Sequence, residues 1–136
     1  MPKAKQFSLE IQGFGKNLSR KQAITIVKKI VFDLHSAVVY DTPVLTGAAR
    51  GNWYPTINAR STAGDTAVTD KDGGSTVSRT AGILSAFKLG QTIWLTNNLP
   101  YILGLENGTS AKAPNGMVEH NVLAAAARYG GKVSKR

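Results

Sequence analysis

The segment from Ser19 to Asp41 constrains this chain more than any other. Ala23, Ile24, Val27, Ile30, Val31, Leu34, Ala37 and Val38 recur at steps of three and four, which lays an apolar stripe along one side of a helix. Ser19 and Gln22 form a capping box, in which the Ser19 hydroxyl takes the Gln22 amide and the Gln22 side chain returns to the Ser19 N–H. Leu18 and Ala23 flank it as a hydrophobic staple. Thr42 precedes Pro43, whose ring pushes it out of helical backbone space, so the helix ends there. With a rise of about 1.5 Å per residue it is roughly 30 to 35 Å long, enough to cover one face of a small domain. Its many β-branched residues lower intrinsic propensity, so packing must supply its stability.

A chain of 136 residues built on such a helix reads as a single domain, 1–136, with a core of ordinary size. Cysteine is absent, which excludes disulfides, thiolate metal sites and cysteine nucleophiles and fits production in a reducing cytoplasm. No apolar run approaches the roughly 20 residues needed to cross a bilayer, so no membrane partner is expected. Met1 to Gln6 is basic but leads into no signal-type core. Lys and Arg exceed Asp and Glu to give a formal charge of +9, which favours an anionic neighbour such as nucleic acid. The charge is dispersed along the chain, so a solubilising surface explains it equally well.

In chain order, residues 1–6 read as a flexible basic tail. Phe7, Leu9 and Ile11 alternate with polar residues as a half-buried strand, and Gly13-Phe14-Gly15 ends it. Gly15-Lys16 lacks the spacing of a phosphate-binding loop and reads as a turn. After the long helix, Thr42 to Arg50 makes a corner shaped by Pro43 and Gly47. Gly51 to Ile57 reads as a strand that Pro55 confines to an edge, with Trp53 and Tyr54 as core rather than as a base-stacking platform. Residues 58–75 form a long polar loop, with a hint of strand at Thr66 to Thr69. Thr76 to Leu89 predicts a second helix, capped by Ser75, with Val77, Ala81 and Leu84 inward and Gly90 closing it. Thr92 to Thr96 is a strand apolar enough to be central, and Tyr101 to Leu105 is one helical turn. Met117 to Tyr129 is a terminal helix with Val118, Val122, Ala125, Ala126 and Tyr129 on one side, stopped by Gly130-Gly131. Residues 131–136 read as a second flexible basic tail. The fold class is α+β, a small and mostly antiparallel sheet flanked by a long N-terminal helix and shorter ones.

No arrangement of residues suggests catalysis. His35 lies beside the apolar stripe with no second ligand at helical spacing, and Glu119-His120 lacks the spacing of a zinc helix. Asp70-Lys71-Asp72-Gly73 has a faint calcium-loop look, but the twelfth position is Ala81, where glutamate is required. The acidic cluster Asp65, Asp70 and Asp72 sits in a polar loop with nothing to exclude water. Neither an enzymatic role, nor a metal, nor a cofactor is expected.

Two clusters carry a resemblance. One is Thr42-Pro43-Val44 with Thr46-Gly47 and Arg50, followed by a Trp-bearing strand. The other is Asn98, Pro100-Tyr101, Leu105 to Ser110 and Pro114 to Met117 before a final helix. Together, after a long helix, they resemble the neck or tail-completion proteins of long-tailed bacteriophages, over roughly Ser19 to Tyr129. The sequence departs from that pattern at Leu45, where an acidic residue is commoner, and at Ile102, where a small one is usual. The resemblance implies a structural virion protein, made in the host cytoplasm and located in the neck or tail. It implies a homo-oligomeric ring, six- or twelve-fold, between portal or adaptor proteins and the tail terminator or tail tube protein, and no reaction. Subunit or partner contacts then fall to Thr42, Pro43, Thr46, Gly47, Arg50, Asp65, Asp70, Tyr101, Glu106, Gly108, Thr109, Pro114 and Met117. Charge facing packaged DNA, without sequence preference, falls to Lys28, Lys29, Lys132, Lys135 and Arg136. The long polar loop is expected to be mobile in the free subunit and ordered by a neighbour. The alternative is a small basic nucleic-acid-binding regulator, for which the long helix, with Lys21, Lys28 and Lys29, offers no clear set of base-reading side chains.

Overall fold

The computed structural model describes residues 5–11 and 18–136. The turn expected at Gly13-Phe14-Gly15 and the Gly15-Lys16 comparison lie outside them. Helix α1, Arg20–Asp41, begins at Ser19 with both capping-box hydrogen bonds formed, Gln22 N–H to Ser19 Oγ at 3.1 Å and Ser19 N–H to Gln22 Oε1 at 2.9 Å. It ends at Thr42, which is extended, as the following proline demands. Of the expected stripe only Ile30 and Val38 are fully buried, joined by His35 and Val39, so the second half of α1 anchors the core.

The remaining elements, in order, are β1 (Phe7–Glu10, ahead of α1), α2 (Ala48–Gly51), β2 (Tyr54–Ile57), α3 (Gly74–Leu84), β3 (Ile93–Thr96), α4 (Ile102–Glu106), α5 (Glu119–Tyr129) and β4 (Lys132–Lys135). The fold is α+β, and its strands divide into two antiparallel ribbons, β2 with β3 and β1 with β4. Helix α1 lies between α3 and α5; β2 packs on α3, and both strands of the other ribbon pack on α5. Val38, Val39, Trp53, Ala113 and Met117 form the main core, with Ala48, Ala49 and Leu99 a second cluster beside it.

Several expectations are corrected. Residues 131–136 are not a loose tail: β4 pairs with β1, placing Val133 opposite Leu9, and the main chains of Gln6 and Arg136 exchange both hydrogen bonds. No strand forms at 66–69; Val68 N–H instead closes a turn onto the Asp65 carbonyl at 2.9 Å. Helix α3 stops at Leu84, and its buried face is Thr76, Thr80 and Leu84, with Ala81 exposed. The threonines turn inward because their hydroxyls find partners there, Asp70 Oδ2 at 2.7 Å and His35 Nδ1 at 3.2 Å. Its N-terminus belongs to Asp70 rather than Ser75, since the Asp70 carboxylate accepts from the amides of Gly73 and Thr76. Strand β3 is one half of a ribbon rather than a central strand.

Candidate functional site

The two sequence clusters meet at the C-terminal end of α1. There an open groove of about 680 Å³ runs between Tyr40 to Val44 and Lys112 to Gly116, with Arg50, Lys71 and His120 completing its walls. Each wall is held by one charged side chain spent on main-chain groups.

On the first wall, Arg50 donates from Nη2 to the carbonyls of Tyr40 and Thr42, both at 3.0 Å, and from Nη1 to that of Lys71 at 2.7 Å. Those of Tyr40 and Thr42 are carbonyls at the end of α1, where a helix presents unpaired acceptors and partial negative charge, and the planar guanidinium serves the loop carbonyl of Lys71 as well. Thr42 is wholly buried; its hydroxyl donates to the Val38 carbonyl at 2.7 Å and accepts from Trp53 Nε1 at 2.9 Å. Gly47, at φ 92°, lets the corner press against the polar loop: a Cβ there would stand 2.9 Å from the Lys71 amide nitrogen. Its carbonyl accepts from the Asp70 N–H at 3.0 Å, and the Thr46 hydroxyl accepts from the Ala48 N–H at 3.2 Å.

On the second wall, the Glu106 carboxylate accepts from three successive amides at the start of α5: Met117 and Val118 at 2.9 Å and Glu119 at 3.1 Å. A carboxylate at this helix end satisfies orphan donors and meets the positive end of the dipole. Gly116 permits it, since a Cβ there would collide with the Glu106 carbonyl. Gly108, at φ 88°, passes against the Pro114 carbonyl in the same manner, and Thr109 N–H donates to the Gly104 carbonyl at 3.1 Å. Across the groove Asp41 accepts from Asn121 Nδ2 at 2.8 Å and lies 3.6 Å from His120 Nε2, while Lys112 Nζ reaches the Val44 carbonyl at 3.4 Å.

The expected contact residues therefore divide. Thr42 and Met117, both 0 % exposed, are out of a partner's reach. Arg50, Asp70 and Glu106 work internally as braces. Burial pushes the Asp70 carboxyl up, but hydrogen bonds from the Thr76 hydroxyl and amide and the Gly73 amide outweigh it and hold it below the usual range. Pro43 and Pro114 line the groove, and Tyr101 is exposed away from its lining residues. Asp65 closes its own turn onto the Ala67 amide at 2.9 Å. Surface left over for a partner lies at Tyr40, Val44, Lys71 and Lys112, and at Leu45, which stands 91 % exposed on the corner beside the groove.

Sequence reasoning missed Asn52 and Arg79, and had Asn98 only as a member of the second cluster, with no role. Asn52, buried, ties the polar loop to α2, and Asn98 Nδ2 donates to the carbonyls of Ser61 and Ala63, both at 2.9 Å. Arg79 donates to the Gly51 and Trp53 carbonyls and stacks over Tyr54, its guanidinium carbon 4.4 Å from the ring centre. No periodic pattern marks these residues; what they share is a place next to a segment whose main chain lacks a ladder.

The residues assigned to a DNA-facing surface do not gather. Lys29 pairs with Asp33 at 3.0 Å, and Asp33 also takes the Tyr129 hydroxyl at 2.9 Å, at the end of α5. Lys135 pairs with Glu119 at 3.2 Å, at the start of α5, so the two sites stand about 15 Å apart along that helix. Lys28 is half-buried, while Lys132 and Arg136 are exposed on the β4 side. Among the described residues no helix is long and apolar enough to cross a membrane, and no group of three or more His, Asp or Glu gathers as metal ligands. Comparison with protein-family models, with curated proteins and with solved structures finds no match to this chain.

Proposed function

We propose that this chain is a structural protein of a bacteriophage neck, forming a ring that joins the capsid portal to the tail tube. The observation that carries the reading is the convergence of the Thr42 to Arg50 corner and the 105–117 loop, distant in sequence, on the two walls of one groove. These are the clusters on which the resemblance rests. An open groove with an apolar lip suits a polypeptide neighbour, whereas a small ligand needs a site that encloses most of its surface. Bracing by Arg50 and Glu106 fixes both walls before any partner arrives, which limits the ordering entropy lost on association. Leu45 supplies an apolar contact that folding leaves unused. Its partners are further copies of the chain, portal or adaptor proteins on one side and tail terminator or tail tube protein on the other.

The test is electron microscopy of assembled particles carrying wild type, Leu45→Asp or Lys112→Glu. The expected result is a ring of this chain at the neck, and filled heads that fail to join tails in both variants. Stability of the isolated subunit should move by no more than about 0.5 kcal/mol, because both side chains are exposed. Particles that lack the chain, or variants that join heads to tails at normal yield, would overturn the reading.

A further inference from the structure

The two ribbons have four outer edges, and three are guarded. In β2 with β3, Asn58 N–H donates to the Thr92 carbonyl at 2.7 Å, so in the register that pairs Thr56 with Trp94 and Tyr54 with Thr96 those same pairs exchange hydrogen bonds. Pro55 opposite Leu95 agrees, since proline has no N–H to give. The main-chain groups of Pro55 and Ile57 therefore point out of one edge, and those of Ile93 and Leu95 out of the other. Pro55 blunts the β2 edge, Lys132 and Lys135 charge the β4 edge, and Lys5 and Glu10 flank β1. The β3 edge, Ile93-Trp94-Leu95-Thr96, has neither proline nor charge, and among the described residues its outward N–H and C=O groups have no hydrogen-bond partner.

We propose that the β3 edge pairs with the β3 edge of a second copy, antiparallel about a two-fold axis at Trp94. The edge is complementary to itself in that arrangement. Ile93 of each copy meets Leu95 of the other, and both outward residues exchange N–H and C=O, giving four hydrogen bonds and a four-stranded sheet. Trp94 then faces its own counterpart at a non-hydrogen-bonded position, where side chains approach most closely and aromatic pairs stabilise. A net charge of +9 disfavours pairing of two copies through their basic faces, and the β3 strand carries no charge. The pairing does not depend on the neck reading, because a two-fold contact cannot belong to a ring whose two sides differ; it concerns the subunit before assembly.

The experiment is residue-resolved amide exchange of the full chain over a concentration series, with native mass spectrometry on the same samples. At low concentration Trp94 and Thr96 amides should be protected by β2 while Ile93 and Leu95 amides exchange freely. As dimer appears, Ile93 and Leu95 should become protected at least tenfold. Leu95→Pro removes an outward amide that the β2 ladder does not use, and should weaken dimerisation at least tenfold while circular dichroism stays that of the wild type. The concentration series needs no variant, so a misfolded Leu95→Pro protein leaves the decision to it. A chain that stays monomeric throughout, or a dimer in which Ile93 and Leu95 amides still exchange freely, overturns the proposal.

Discussion

The side-chain amide of Asn52 meets the main chain of Asp65 twice, accepting from its N–H at 2.9 Å and donating to its C=O at 3.0 Å. The same Nδ2 also donates to the carbonyls of Ala48 at 2.8 Å and Val68 at 3.1 Å. A loop whose main chain has no ladder must satisfy its polar groups elsewhere, and one buried amide does so for two points of the polar segment. Asn98 does the same at Ser61 and Ala63. The expectation of a loop left free in the isolated subunit does not fit this network.

Asn52→Ala should therefore cost about 1 to 3 kcal/mol, since it strands the buried Ala48 carbonyl and leaves the part-buried groups of Asp65 and Val68 without their partner. Urea denaturation measures the loss. Amide exchange should show residues 60–70 opening in the variant while α1 keeps its protection. Equal exchange of the loop in both proteins would show that Asn52 does not hold it.

Glu106→Ala should destabilise by about 1 to 2 kcal/mol, the size of a lost helix cap with charge assistance. Glu106→Gln should recover part of that, because one neutral amide oxygen can still accept from the Met117 or Val118 N–H. A thermal melt of the three proteins gives the order wild type, Gln, Ala; an Ala variant as stable as the wild type would remove Glu106 from its role as brace.

Much of the architecture was legible because it rests on local signals. The capping box at Ser19 and Gln22, the proline after Thr42 and the glycines after Tyr129 fix helix ends through groups within a few residues. What was not legible depends on distant partners. The inward turn of Thr76 and Thr80 follows from Asp70 and His35, which no periodicity can announce. The pairing of both chain ends as β1 and β4 likewise rests on contacts between segments far apart in sequence. The site was half legible: Pro43, Gly47, Glu106 and Pro114 stood out by residue type, but type alone could not tell a brace such as Glu106 from a free surface such as Leu45.

Binding to duplex DNA should be weak and blind to sequence. Lys29 and Lys135 already have carboxylate partners at 3.0 and 3.2 Å, and the basic residues are spread over both ends of α5. Affinity should fall roughly tenfold or more between low and physiological salt, as counterion release requires when a few phosphates are contacted. Fluorescence anisotropy with unrelated duplexes measures this. A preference for one sequence that survives physiological salt would instead favour a regulator.

Acid should destabilise the fold first through His35. His35 is buried, with Nδ1 3.2 Å from Thr80 Oγ1, and burial pushes its pKa from 6.5 to about 4. The unfolded chain titrates near 6.5, so between these values the unfolded state binds more protons than the folded one. Stability should be complete above about pH 6.5 and decline as pH falls toward about 4. The slope approaches about 1.4 kcal/mol per pH unit, for a total on the order of 3 kcal/mol. Carboxylates act in a lower window. Asp33, held low chiefly by its hydrogen bond from Lys29, and Asp70, held low by the bonds from Thr76, lose their contributions only as pH drops below about 3.8. His35→Gln removes the titrating group, so the variant should show a flat stability between pH 6.5 and 4 and the same collapse below it. Urea midpoints across that range decide the matter, and an unchanged slope in the variant would mean that another group carries the acid sensitivity.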